Sequence, residues 1–260
     1  MDTRTWSGMG AKTALLAFTD GDMRSAPAGA PPSDRAEAEN LVRRIHPGYA
    51  VEGIADGTLD HTYPPDEVTY ALALPGTDLL IDHRPVLDRP SELPEHLRRL
   101  GEGRRIVLHW MHSVVDWLAF AIWEDGTLVR SLSLSPDSGI MENIGEPLEF
   151  ERPYWAGERA VEPDPAWDDE EPYALPFHPL EMGEDALRFL FGFVIEGLPE
   201  DTDLNAEEIP VHGFKVTDPT RREQAEREAA YAEAIARMGL PRRFRLAPDR
   251  KMHEIDNNDL

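Results

Sequence analysis

Between residues 104 and 136 the chain turns apolar three times, at Ile106–Met111, Trp117–Trp123 and Thr127–Leu134. Each stretch has strand length, and Glu124-Asp125-Gly126 between the last two is a hairpin signal. A continuous apolar run that is too short for a long helix fits a strand covered on both faces. The third stretch differs: Leu128, Arg130, Leu132 and Leu134 alternate with Val129, Ser131 and Ser133, so it is expected nearer an edge or a wet face. The expected fold is α+β, a single domain whose mixed, largely antiparallel sheet is built on this meander and packed by helices.

The flanks support that class. Residues 13–18 form an apolar strand ending in the turn Thr19-Asp20-Gly21-Asp22. Ser33 stands where an N-cap belongs, ahead of Ala38, Leu41, Val42 and Ile45 at helical spacing, and Pro47-Gly48 closes that helix. Residues 49–54, 68–74 and 79–81 have strand character, and Ser91 to Leu100 fits a short helix. Residues 136–179 carry no helix or strand period; their aromatics, Tyr154, Trp155, Trp167, Tyr173 and Phe177, are expected to anchor a meandering cover. Glu184–Glu196 is apolar nearly all round, the mark of a buried helix, with Gly197 as its C-terminal cap. Asp218-Pro219 opens a last, alanine-rich helix, and residues 240–260 form a tail.

Charge narrows the possible partners. The formal net charge is −24 over 260 residues, which disfavours nucleic acid and anionic membrane because both are polyanions. Residues 137–208 concentrate it, with 21 Asp and Glu against three Arg and no Lys. Such a stretch usually serves as solvated surface; its sharper use is a docking face for a basic protein partner. Arg242, Arg243, Arg245, Arg250 and Lys251 reverse the sign near the end. With no cysteine, disulfides and thiolate chemistry are excluded, and a bound divalent metal would need His, Asp or Glu. The first residues lack a basic start and an apolar run, so a cytoplasmic address is expected.

Few segments carry chemistry. Gly8-Met9-Gly10-Ala11-Lys12-Thr13 imitates a phosphate loop but lacks a glycine immediately before the lysine and precedes a strand instead of following one. Asp20 and Asp22, at a strand end, could hold Mg²⁺ or Ca²⁺, although an acidic Gly turn is more often only a turn. His109, His112 and Asp116 would face one way on a helix and make a two-His, one-carboxylate set. On a strand His109 and His112 point to opposite faces. Ser113 beside His112 and Asp116 supplies the residue types of a triad without the nucleophile elbow. The plainer account makes His109 a satisfied core histidine, with His112, Ser113 and Asp116 forming a turn.

Met9-Gly-Ala-Lys-Thr, Asp20-Gly-Asp, Thr62-Tyr-Pro-Pro, Leu108-His-Trp-Met-His-Ser-Val-Val-Asp-Trp, Arg130-Ser-Leu-Ser-Leu-Ser-Pro-Asp, Pro153-Tyr-Trp-Ala-Gly-Glu and Leu175-Pro-Phe-His-Pro-Leu-Glu together resemble an uncharacterised bacterial family known only as a domain of unknown function. The resemblance spans about residues 9–217. It implies an N-terminal extension over 1–8, a domain over 9–217, and a helix and basic tail over 218–260, and it supplies no reaction, cofactor or partner. Trp110 stands where that family's block suggests a smaller residue.

Two functions follow as expectations. The first is a binding or protein-interaction module using the acidic surface. The alternative is a metal-assisted hydrolase with its site near Asp20, Asp22, His109, His112 and Asp116. They part on whether those side chains converge on an open pocket.

Overall fold

The computed structural model describes residues 10–25, 33–161, 173–238, 243–246 and 252–255. Strands β1 (Lys12–Thr19), β2 (Ala50–Gly53), β3 (Gly57–Thr58), β4 (Val68–Leu74), β5 (Thr77–Ile81), β6 (Arg105–His112), β7 (Trp117–Glu124), β8 (Thr127–Ser135), β9 (Gly139–Ile144) and β10 (Pro210–Thr217) form one sheet. Its order is β2-β10-β4-β5-β1-β6-β7-β8-β9, with β3 also on β10. Every pairing among the described residues is antiparallel.

Helices cover both faces, which explains continuous apolar runs in antiparallel strands. On one face Leu15 and Ala17 of β1, Val107 of β6, and Leu118, Phe120 and Ile122 of β7 meet helix α4 (Pro179–Phe191) through Ala186, Leu187, Leu190 and Phe191. On the other, Leu16, Phe18, Ile106, Leu108 and Trp110 meet helix α1 (Arg35–Ile45) through Ala38, Leu41, Val42 and Ile45, and helix α2 (Glu95–Leu100) through Leu97. Fully burying each of the larger aliphatic side chains contributes about 1.5–3 kcal/mol. Trp110 is wholly buried in this second layer.

Local chemistry moves several expected boundaries. Asp34, not Ser33, caps α1, its carboxylate accepting from the Ala36 and Glu37 amides. Ser33 instead accepts from the Ala73 amide at 2.9 Å. Pro94 splits the Ser91–Leu100 helix into a 3-10 turn, Pro90–Glu92, and α2. The buried helix lies earlier than expected: His178 caps it and Pro179 opens it, and Gly192, in the left-handed region at φ 84°, ends it before the apolar 193–195. The 136–179 stretch contains an unexpected strand, β9, and the short helix α3 (Arg152–Trp155). With β9 as the edge, β8 is interior; a register shift against β7 skips Val129, so Leu128 joins the α1 layer while Leu132 and Leu134 face α4.

Arg130 is buried on β8 and satisfied there. Its Nε and one terminal nitrogen donate to Glu151 at 2.8 and 2.6 Å, and its other terminal nitrogen donates to Asn143 Oδ1 and the Ile144 carbonyl at 2.7 and 2.9 Å. Glu151 also accepts from the Leu148 amide and Trp155 Nε1, so both charges are fully bonded.

Residues 218–260 form a second compact unit, distinct from 1–217. It contains helix α5 (Arg222–Met238) and a hairpin, β11 (Arg243–Leu246) with β12 (Met252–Ile255), where a tail was expected. Asp218 accepts from the Thr220 and Glu223 amides just before α5. No described helix is long and apolar enough to cross a membrane.

Arg130→Met strands a buried carboxylate and is expected to cost about 3–5 kcal/mol, whereas Arg130→Met with Glu151→Met recovers most of that loss. Urea unfolding of both variants measures the difference.

Candidate functional site

The register of β1 on β6 decides which candidates can meet. Lys12 pairs with His112 at one end and Thr19 with Arg105 at the other. At about 3.3 Å per residue, Thr19 lies roughly 23 Å along the strand from the Lys12–His112 pair, and Asp20 and Asp22 follow it. There Asp20 accepts from Arg104 Nε at 2.9 Å, and Asp22 is paired with Arg24 at 2.6 Å, whose guanidinium holds its carboxyl below the usual range. The expected metal set of Asp20, Asp22, His112 and Asp116 is therefore dispersed. Among the described residues no three His, Asp or Glu side chains are placed to hold a metal ion.

His109 is sealed. Its Nε2 lies 2.9 Å from the Gly183 carbonyl and its Nδ1 2.8 Å from the Thr13 hydroxyl. A carbonyl can only accept, so Nε2 carries the proton and Nδ1 accepts from Thr13. Burial lowers the imidazole's pKa to about 4. Gly183 makes this contact possible, since a Cβ there would stand 2.5 Å from Met111 Sδ. The ring joins helix to sheet with no open face for substrate.

The turn residues also separate. His112 Nδ1 accepts from the Val114 amide at 3.3 Å, while Asp116, at φ 44°, lies 3.7 Å from His178 Nε2. Ser113 packs on Gly10, and its amide donates to the Ala11 carbonyl. No triad assembles, because the carboxylate sits with His178 instead of His112.

What does gather at this end of the sheet is different. Beyond Asp82, whose amide still donates to the Ala14 carbonyl, the chain after β5 leaves β1, and Thr62 takes its place: the Ala14 amide donates to the Thr62 carbonyl, and the Thr62 hydroxyl donates to the Lys12 carbonyl. That seats Tyr63 among three groups, its ring centroid 3.8 Å from that of His83, 5.6 Å from that of His112 and 5.5 Å from Lys12 Nζ. Burial first, then the Lys12 charge, lowers the pKa of His112. Burial also lowers that of His83, against the pull of Asp82 and of Asp66, 3.6 Å away. Both rings are biased toward the neutral form.

Tyr63 and Lys12 line a cleft of about 1030 Å³. Pro64, Pro65 and Tyr70 line it as well, together with Phe193, Val194, Ile195, Leu204 and Ala206. Five carboxylates line it, Asp60, Asp66, Glu200, Asp203 and Glu207, beside the single lysine. Asp203 and Glu200 are drawn toward Arg188, at 3.1 and 3.7 Å. Glu207 has no cationic partner among the described residues. A second recess of about 650 Å³ is lined by Arg24 and Arg188, both already paired with carboxylates.

The sequence matches a family of unknown function, DUF6928, over residues 13–214. The chain belongs to DUF6928. That span takes in the whole of β1 except its first residue, Lys12, and most of β10; the cleft residues from Asp60 to Glu207 lie within it, while Gly10, Ala11 and Lys12 lie just before it. No curated protein and no solved structure matches the chain. Sequence reasoning passed over Lys12 once the phosphate loop failed, and used Thr62-Tyr-Pro-Pro only as one of the blocks that carry the family resemblance. His83, Asp60, Glu200 and Glu207 had no local signal, because only the fold brings them together.

Between pH 6.5 and about 4 the unfolded chain binds a proton at this histidine position that folded His109 refuses, so stability falls as the pH drops through that window, by up to about 3 kcal/mol. His109→Gln, which keeps an N–H for Gly183, is expected to flatten that part of the slope in urea unfolding measured at stepwise pH.

Proposed function

We propose that the domain is a binding module that takes a basic peptide segment of a protein partner in the cleft beside Tyr63. The carrying observation is the lining: five carboxylates with tyrosines, prolines and aliphatic side chains around about 1030 Å³. A volume at the top of the range for small-molecule sites accepts a short peptide. Tyrosine faces and proline rings contact aliphatic stems of Lys and Arg, while rim carboxylates meet their charged heads.

Location of the charge supports this cleft over the 137–208 stretch as a whole. Much of that stretch's acid is used internally: Glu151 holds Arg130, Glu142 accepts from Ser91 and Ser131, Asp185 accepts from Tyr154, and Glu184 accepts from the amides of 195–197. Glu207 lines the cleft with Glu200 and Asp203, which Arg188 also holds, and Asp60 and Asp66, outside the stretch, line it too. Together with the acidic, cysteine-free composition, this fits a partner in the cytoplasm.

An Arg- and Lys-rich labelled peptide is expected to bind in fluorescence anisotropy, with affinity falling at least about tenfold toward 1 M salt, where the Debye length is about 3 Å. Glu207→Lys and Asp60→Lys each weaken it several-fold, while Glu37→Lys on α1 leaves it unchanged. Binding that ignores salt and both reversals would sink the proposal.

A further inference from the structure

Lys12 stands apart within the cleft, as the single lysine among its lining residues. Lys215 pairs with Glu67, and Arg24, Arg84, Arg104, Arg130 and Arg188 each hold carboxylates. Lys12 has no carboxylate within ion-pair distance among the described residues, although Asp60 and Asp66 line the same cleft. Its ammonium lies against the Tyr63 ring instead. As the first residue of β1 it is anchored by the backbone, its carbonyl held by Thr62 and its Cα in register with His112. His112 and His83 stand around the same ring and supply no negative charge.

A fixed cation without an internal counterion, at the wall of an otherwise acidic cleft, asks for an anion carried by the ligand. A phosphate would bring two charges toward five carboxylates; a single carboxylate attached to a basic chain satisfies both ends at once. We propose, resting on the reading of the cleft as a basic-peptide site, that Lys12 seats the terminal carboxylate of that peptide, so the module reads a basic C-terminal end. The last side chain then lies on Tyr63, and the upstream Lys and Arg side chains run toward Glu200 and Glu207.

The test uses two fluorescein-labelled hexapeptides of the same Arg- and Lys-containing sequence, one ending in a free carboxylate and one in an amide, titrated with the full chain. The free acid is expected to bind about fivefold tighter, the upper end for a partly exposed ion pair. Lys12→Met erases that preference by weakening the acid alone, and Lys12→Arg keeps it; unchanged thermal midpoints show that both variants are folded. Equal binding of acid and amide, with salt dependence intact, would overturn the role of Lys12 and leave the basic-peptide site standing. A preference that survives Lys12→Met would overturn it as well, and failure of both peptides to bind would overturn both readings.

Discussion

A sheet covered by helices on both faces leaves no wet side on which to park polar side chains. Polar groups on its central strands must find partners inside or go without, as Trp110 Nε1 does, and this condition organises the protein. His109 resolves it by bridging Thr13 to a helix carbonyl, Arg130 by a bidentate pair with Glu151, and Asp82 by collecting His46, Thr69 and Arg84 around one carboxylate. In Asp82 burial raises the carboxyl's pKa, and the bonds and charge of His46, then Arg84 and Thr69, outweigh it and hold it low. Each bridge ties elements that the backbone ladder does not join.

The same condition separates structural polarity from functional polarity. His109 has both nitrogens engaged and no route to solvent, so its place in the most apolar segment marks a joint between sheet and helix. Lys12 lies one strand away, at the rim where both layers end, and its charge has no internal partner among the described residues. Position relative to the covering helices distinguishes the two.

Much of the fold was legible because apolar runs and turn residues act locally. The β6–β7–β8 meander follows from strand-length apolar stretches punctuated by short turns, and α1 from four buried positions at helical spacing. What failed depended on tertiary context. Apolar 193–195 extended the helical pattern beyond Gly192 although those residues pack outside the helix, and β9 and β10 lack a run strong enough to declare themselves. The cleft was less legible still, since its walls come from β1, from 60–70, from His83 and from 193–207, segments with no shared periodicity. Asp20 and Asp22 misled because strand ends on opposite sides of a sheet look alike in sequence.

Strand β10 has a consequence for how the molecule comes into being. It is the last strand of its unit, yet it lies between β2 and β4, where Phe214 meets Gly53 and Thr69. During synthesis β2 has no neighbour to pair with, and β4 presents a bare edge, until the residues past 210 have emerged. Closure of the sheet is therefore deferred to nearly the end of translation of this unit, and its contacts of longest sequence separation form last. A nascent chain stopped short of β10 would carry an open strand edge, the kind of surface on which one unfinished chain recruits another.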